Sequence, residues 1–397
     1  VSSDDIKRRT EILRDLQNRT YTVQGSPEWH DERRNKITAS DAGTVVGVNP
    51  YEYQYKFILK KVDEPAFSSN MTTHHGKKYE KVATSIYEYR MNVKIEEFGL
   101  VGHDKYDFMG ASPDGIISEY KHDGIHKTKF VGRMLEIKCP LNRQIQNTGN
   151  IVGTICPTYY WVQQQQQLQC CLGLDDCDFW QCNIKEYESR DEFINDTHGE
   201  EPFRSKTTGF EKGFVIQLLP KEFANEAYKS IEKYHEIICK DAKYIYPPKI
   251  EMTPYDCDQF IIKTLTDLHR DPKFEKYYFD KVIYWKLNNS NCTLISKDDK
   301  WWEETLPTMK KIWDYVIFFR NNKDKYKILT DFIDSLNKKY NKKIMETIMI
   351  LCENKKGDPR VKKIIEQTKK NIEDKANKKS AINNEYEVSH YSNNSSV

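Results

Sequence analysis

The sequence predicts an α/β fold in which helices flank a mixed central sheet, followed by a mainly helical C-terminal extension. Three observations lead to this prediction. Period-two apolar patterns, typical of strands, occupy residues 98–101, 108–117, 130–139 and 179–184. Helical patterns cover about 75–91 and 158–172, so helices alternate with these strands. After residue 221 the pattern is mainly helical.

The same patterns divide the chain into four parts. Residues 4–19 have apolar positions at helical spacing, which predicts an N-terminal helix within residues 1–24. The α/β core then covers 25–220, and a helical, basic extension covers 221–380. The Asn- and Ser-rich segment 381–397 is predicted to be a disordered tail.

The first elements of the core carry recognisable start signals. Ser26 followed by Pro27 is typical of a helix start. A second helix is predicted to start at 38–41 and to end by Gly47. The five consecutive glutamines follow Tyr159-Tyr160-Trp161, so we expect a helix with a buried face there rather than a disordered tract.

The net charge of +2 hides an uneven distribution. Residues 321–380 contain 17 Lys or Arg and 9 Asp or Glu, a balance of +8, so the remainder carries −6. A basic segment is typical of a nucleic-acid contact, although a solvated lysine-rich helix surface explains it equally well. The negative charge of the remainder is consistent with a carboxylate site that binds a metal. An excess of surface glutamates would give the same negative charge.

Other classes of protein fit the sequence poorly. There is no run of about 18 apolar residues, so a transmembrane helix and a membrane partner are not expected. The start lacks the pattern of a signal peptide. The ten cysteines are scattered without paired CxxC units, which indicates free thiols and an intracellular location.

One constellation of residues indicates chemistry. Glu136 and Lys138 alternate with apolar neighbours on a predicted strand, so their side chains share one face. Asp114 lies in the turn before the preceding strand and Glu80 on the preceding helix, where both can reach that face. Clustered carboxylates are costly unless a divalent cation uses them, and Mg²⁺ prefers such hard oxygen ligands. The alternative is a surface hairpin with a chance Glu/Lys pair.

These residues and their neighbours resemble a known family. Asp114 with Glu136-Ile137-Lys138 is similar to the PD-(D/E)XK nuclease core. Five motifs, in this order along the chain, resemble those of the lambda exonuclease family, also called the YqaJ-like viral recombinase family. They are Trp29 to Asp41, Gly76 to Glu80, Gly110 to Gly115, Leu135 to Pro140 and the Gln-rich helix.

The resemblance implies an Mg²⁺-dependent exonuclease, with Mn²⁺ as a substitute metal, that digests one strand of duplex DNA from a 5′-phosphorylated end. It implies metal-ligand and catalytic positions at Asp114, Glu136 and Glu80, and a catalytic Lys138. It also implies service in viral DNA recombination, replication or repair at a replication site in the host cytoplasm or nucleus. The partners implied are DNA ends, a single-strand annealing protein and a homo-oligomer, with a trimer as one form.

The resemblance further implies residues that bind DNA. Arg33 aligns with the family's terminal-phosphate arginine, and Arg34 is the alternative register. Ser40 and Ser112 align with serines near that phosphate. Without the family, an ion pair of Arg33 with a neighbouring glutamate is the simpler interpretation. The family has alternating glutamines that align with Gln163, Gln165 and Gln167. Which of these three residues is functional stays open.

Two other functions remain open. One is a structure-specific or repair endonuclease on the same core. The other is a DNA-binding scaffold that has lost nuclease activity, although the presence of all the acidic positions and Lys138 argues against it.

Overall fold

A computed structural model describes residues 2–63, 69–353 and 358–392, with side chains described to residue 377. The chain forms two compact units, each made of two separate segments. Val1–Ser40 and Ala66–Asp298 form one unit, here called the sheet unit. Asp41–Pro65 and Asp299–Val397 form the other, here called the helical unit.

The strands of the described residues all belong to the sheet unit. In chain order they are β1 (Ile37–Thr38), β2 (Ile95–Glu96), β3 (Val101–Gly102), β4 (Met109–Ala111), β5 (Gly115–Ile117), β6 (Met134–Lys138), β7 (Asp176–Glu186), β8 (Lys212–Pro220), β9 (Lys243–Ile245) and β10 (Tyr277–Ser296).

These strands form one large and one small mixed sheet. The large sheet has the order β2-β5-β6-β7-β10-β8-β9, and the small one has the order β1-β4-β3. β6 and β7 are parallel, whereas the other neighbours in the large sheet are antiparallel. Because a parallel pair needs a crossover connection, the chain between β6 and β7 passes through a helix.

The helices are distributed over both units. In chain order they are α1 (Ser3–Asn18), α2 (Pro27–Arg34), α3 (Ala39–Val45), α4 (Gln54–Asp63), α5 (Met71–Met91), α6 (Thr158–Cys170), α7 (Arg190–Asn195), α8 (Ile231–Asp241), α9 (Pro254–Asp267), α10 (Asp299–Asn321), α11 (Lys323–Ser335), α12 (Asn341–Glu353) and α13 (Pro359–Ser392). The predicted α/β class with a helical C-terminal region is therefore confirmed.

The two faces of β6 contact different helices. Leu135, Ile137 and Cys139 belong to a core cluster with residues of α5. Met134 belongs to a second cluster with residues of α1 and α6. Successive side chains of a strand point to opposite faces, so Glu136 and Lys138 lie on the α6 side, as the alternation predicted.

The boundary predicted at residue 220 differs from the structure. β10 lies between β7 and β8 in the large sheet, so the sheet unit continues to Asp298. β10 is 20 residues long and its register shifts at two places, between Phe279 and Lys281 and between Leu287 and Asn289. These bulges interrupt the period-two pattern of apolar residues, so the sequence does not predict a single strand in this segment.

The helical unit has its own core. Trp302, Ile312, Trp313 and Val316 are buried on α10. In the same unit, Lys60 and Lys61 of α4 form ion pairs with the buried Asp41. Burial opposes the charge of Asp41, but the two ammonium groups outweigh it and hold the pKa of Asp41 below its ordinary value.

The end of the chain also differs from the prediction. α13 continues to Ser392, whereas the sequence predicted disorder from residue 381. The segment that follows Pro359 has neither Gly nor Pro up to residue 392, so nothing in it breaks the helix. Residues 393–397 lie outside the described part of the chain.

Candidate active site

Strand pairing brings the predicted catalytic residues together. β5 and β6 are antiparallel, with Gly115 opposite Leu135, so Asp114 lies beside Glu136. The backbone N–H of Ile137 donates a hydrogen bond of 2.6 Å to Asp114 Oδ2. The turn before β5 is thereby fixed to the strand that carries Glu136 and Lys138.

Glu136 is a fully buried carboxylate, with 0% of the residue exposed. It accepts hydrogen bonds from Gln163 Nε2 at 2.7 Å and from Gln167 Nε2 at 2.6 Å. The ammonium of Lys138 donates a further bond to Glu136 Oε1. A charge removed from water is tolerated only when it is paired and hydrogen-bonded, and these three donors meet that requirement.

The charges in this cluster shift one another's pKa values. Burial raises the pKa of Asp114 well above its ordinary value, and the negative charges of Glu136 and Glu80 raise it further. Burial also raises the pKa of Glu80, although the positive charge of Lys138 opposes this shift. Burial acts against the charge of Lys138, but Glu136 and Asp114 outweigh it and raise the pKa of Lys138. Lys138 is therefore an ammonium group at neutral pH.

A cavity of about 380 Å³ opens beside this cluster. Its lining includes the acidic Glu80 and Asp114, and also Arg33, Ser40 and Ser112. The predicted acidic residues and the predicted phosphate-binding residues therefore face the same space. The cavity lies entirely within the sheet unit.

The basic end of the cavity is organised around Arg33. Its guanidinium donates a hydrogen bond of 3.3 Å to Ser40 Oγ and lies 4.6 Å from the ring centre of Trp29. Thr38 and Ser40 hydroxyl oxygens are 3.1 Å apart. Among the residues that the structure describes, no hydrogen-bond partner reaches the buried Ser112 Oγ.

The acidic donors suit a hard divalent cation, but they are not arranged as a closed metal site. Within the described residues, no three His, Cys, Asp or Glu side chains are grouped closely enough to hold a metal ion. Glu136 is instead bonded to Lys138 and two amides. Burial and then the negative charges of Glu136 and Glu80 raise the pKa of Asp114, and a cation would relieve the repulsion among these carboxylates.

Comparison with protein families identifies this segment. Residues 28–172 match the family model of the YqaJ-like viral recombinase domain. The family resemblance predicted from the motifs is confirmed, and the matched segment contains the whole acidic cluster and Arg33.

Two viral proteins are similar in sequence. Uncharacterized protein R354 of Acanthamoeba polyphaga mimivirus is 37% identical over 360 residues, which is 89% of this chain and 64% of that protein. A protein of African swine fever virus, strain Badajoz 1971 Vero-adapted, is 26% identical over 206 residues, which is 44% of this chain and 55% of that protein. The chain therefore spans under two thirds of the length of either relative.

Solved structures show distant likeness. The alkaline exonuclease LHK-Exo from Laribacter hongkongensis overlays with a TM-score of 0.38 at 15% identity, covering 76% of this chain and 97% of that one. A phage-related exonuclease from Haemophilus somnus gives a TM-score of 0.33 at 10% identity, covering 72% of this chain and 97% of that one.

Among the helices of the described ranges, none is long and apolar enough to cross a membrane.

The glutamines of α6 do not share one role. Gln163 and Gln167 both bond to Glu136, because residues four apart lie on the same face of a helix. Gln165 lies elsewhere: its amide donates to the carbonyl of Ser296 at 3.0 Å and accepts from the N–H of Asp298 at 2.8 Å. The amide of Gln165 therefore bonds to the end of β10 rather than facing the predicted DNA site, because two residues rotate a helix by about 200°.

Sequence reasoning missed some residues around the site. The ring centre of Tyr160 lies 4.7 Å from Lys138 Nζ, and Glu97 and Phe98 line the cavity. Tyr160 precedes Gln163 by three residues, so helical spacing could have placed it on the same face. Of the two arginines predicted, Arg33 rather than Arg34 is among the described residues that line the cavity.

Proposed function

We propose that this chain is an Mg²⁺-dependent 5′→3′ exonuclease that digests one strand of linear duplex DNA from a 5′-phosphorylated end. The observation that supports the proposal most directly is the single cavity lined by Arg33, Ser40 and Ser112 together with Asp114 and Glu80. A phosphate-binding group next to carboxylates is the arrangement needed to hold a DNA end while a neighbouring phosphodiester is cut.

The residues divide the work by their chemistry. Arg33 offers a fork of donors to the terminal phosphate, and the hydroxyls of Ser40 and Ser112 complete its binding. Lys138, held as an ammonium, stabilises the negative charge that develops during cleavage.

Asp114, Glu136 and Glu80 are the residues that would hold Mg²⁺, with Mn²⁺ as a substitute. The bound metal would neutralise charge on the scissile phosphodiester. Gln163 and Gln167 fix the orientation of Glu136.

The biological setting is part of the proposal. We expect the 3′ single-stranded tails left by this reaction to serve viral DNA recombination, replication or repair with a single-strand annealing protein. We further propose action at a viral replication site inside the host cell, and a homo-oligomer, such as a trimer, around the DNA.

A comparison of linear and circular DNA tests the activity. With Mg²⁺ or Mn²⁺, a linear duplex with 5′ phosphates should be degraded, and a closed circular duplex should stay intact because it offers no end. Cutting of the circle would favour the endonuclease alternative. If EDTA leaves degradation of the linear duplex unchanged, the proposed metal dependence is wrong.

Two lysine variants test the site. Lys138→Ala should lower the cleavage rate by a factor of about 10²–10³, the cost of removing one group that stabilises transition-state charge. Lys206→Ala is the matched control, because Lys206 is an exposed lysine of the same unit outside the cavity. Equal rates for Lys138→Ala and the control would overturn the assignment.

A further inference from the structure

The helical unit contains a groove of about 530 Å³ between α10 and α12. Ile312, Met345 and Met349 provide apolar lining, and Lys311 and Lys342 line it as well. The volume falls in the range of about 300–1,000 Å³ that is usual for ligand sites. An apolar groove with cationic groups suits a ligand that has a flat apolar part and a negative charge.

Two amides add polar contacts to the groove. Gln54 and Asn341 line it, and Asn341 Nδ2 donates a weak bond of 3.5 Å to Gln54 Oε1. The buried Oδ1 of Asn341 has no hydrogen-bond partner among the described residues. A buried acceptor without a donor is costly. Amides of this kind bond to the exposed edges of unpaired bases.

A lysine-rich turn adjoins the groove. Lys338, Lys339, Lys342 and Lys343 lie within six residues at the junction of α11 and α12, and Asn341 and Lys342 also line the groove. Tyr340 stands between them with 60% of the residue exposed. Exposed aromatic rings among lysines are the combination that single-strand binding proteins use to stack bases and hold phosphates.

We propose that this groove and the lysine turn bind single-stranded DNA, with a base in the groove or on Tyr340 and phosphates on the lysines. The inference rests on the proposed function, because that reaction produces single strands. A duplex presents its phosphates but stacks its bases away from such a groove. The apolar lining, the amides and the exposed ring are therefore used only by an unpaired strand.

The first test measures binding of the full chain to a fluorescein-labelled oligothymidylate of about 20 nucleotides, long enough to cover a typical single-strand site. Fluorescence anisotropy in EDTA at several salt concentrations measures affinity without cleavage. The double variant Lys338→Gln/Lys342→Gln should reduce the slope of log affinity against log salt by about 1.4, because each lost phosphate contact contributes about 0.7. Lys362→Gln/Lys363→Gln, two exposed lysines of α13, is the matched control.

The second test separates base contacts from charge. Tyr340→Ala should weaken binding about tenfold, and Tyr340→Phe should bind like the parent because the ring is kept. Glu346→Gln removes an exposed acidic group of the groove and should tighten binding by up to about fivefold. Of the substituted residues, only Lys342 and Glu346 line the groove. Circular dichroism of each variant checks that it is folded.

The outcomes decide between clear alternatives. Unchanged affinity and slope in Lys338→Gln/Lys342→Gln, or an equal loss in the α13 control, would overturn the proposal. A loss confined to a duplex probe of the same length would overturn the commitment to a single strand. Binding in EDTA is independent of catalysis, so a chain that cleaves DNA but shows none of these losses retains the proposed function and refutes this inference.

Discussion

Glu136 is a buried carboxylate at the centre of the acidic cluster. It is fully buried, and its charge is balanced by the ammonium of Lys138 and two glutamine amides. Because Glu136 raises the pKa of Lys138, the two groups form a linked pair of opposite charges. Removing one donor from Glu136 therefore changes the electrostatics of the site as well as its packing.

Two glutamines of one tract should give opposite results when changed. Gln167→Leu removes a donor from the buried Glu136, so we expect a cleavage rate at least about tenfold lower. Gln165→Leu removes two bonds to backbone at Ser296 and Asp298, so it should lower the free energy of unfolding by about 1–3 kcal/mol and leave cleavage nearly unchanged. Cleavage rates and urea unfolding of both variants measure this. Equal losses of activity would contradict the different placement of the two amides.

A buried histidine makes stability depend on pH. His74 is buried on α5 with Nε2 2.7 Å from the hydroxyl of Tyr244, and burial lowers the pKa of His74 to about 4. The unfolded chain, with a histidine pKa of about 6.5, binds the proton first. His74 therefore contributes stability above pH 6.5 that is lost as the pH falls towards 4, by about 2–3 kcal/mol at pH 4.5.

Urea unfolding at pH 7 and pH 4.5 measures this loss. His74→Asn should show a smaller drop between the two pH values than the parent chain. His122→Asn, at an exposed position, should show the full drop. An unchanged drop in His74→Asn would mean that other groups carry the pH dependence.

At the scale of elements, β10 shows what local patterns miss. Its 20 residues pair with β7 on one side and β8 on the other, so it is an interior strand of the large sheet. Trp285 of β10 is buried directly opposite Gly213 of β8. The absence of a side chain at Gly213 is what leaves room for the indole ring.

Gly213→Ala tests this packing. An added Cβ would lie 2.8 Å from Cζ2 of Trp285, closer than real contacts allow. We expect the free energy of unfolding to fall by about 1–3 kcal/mol, the usual cost of overpacking. Gly199→Ala is the matched control, because an added Cβ there meets nothing within 4 Å. Urea titrations with equal midpoints for the two variants would contradict the packing.

The sequence predicted those features of the site that depend on residues close together in the chain. The alternation in β6 placed Glu136 and Lys138 on one face, and the motif spacing placed Asp114 beside them. The role of Gln165 could not be predicted, because all five glutamines are identical and only the position of β10 separates them. β10 itself pairs with strands about 70 and 110 residues earlier in the chain, and local periodicity carries no information about such pairing.

At the scale of the whole molecule, each unit combines an early and a late segment of the chain. The helical unit takes α4 from the early part, where Tyr55, Phe57 and Ile58 are buried, and α10 to α13 from the end. A cut after Asp298 therefore removes most of the core around α4. The basic segment 321–380, with its balance of +8, belongs to this unit and cannot be deleted without removing part of the core. Point substitutions of its lysines therefore test its role more sharply than a truncation.

Truncation after Asp298 should leave the buried face of α4 uncovered. We expect the shortened chain to bind a hydrophobic dye such as ANS and to aggregate, because Phe57 and its neighbours lose their packing partners. Adding the fragment 299–397 in trans should reduce the dye signal. A truncated chain with the same dye binding and sedimentation as the parent would show that residues 41–65 do not depend on the late segment.

The length of the glutamine tract in α6 is fixed by what its last residues contact. Loss of one glutamine would bring Leu168 to the place of Gln167, against the buried Glu136, and gain of one would put an amide in the apolar place of Leu168. Either change costs about 1–3 kcal/mol or more, since a buried polar group loses its partner. A stretch that looks like low-complexity sequence is thus held to a fixed length by the helix it forms.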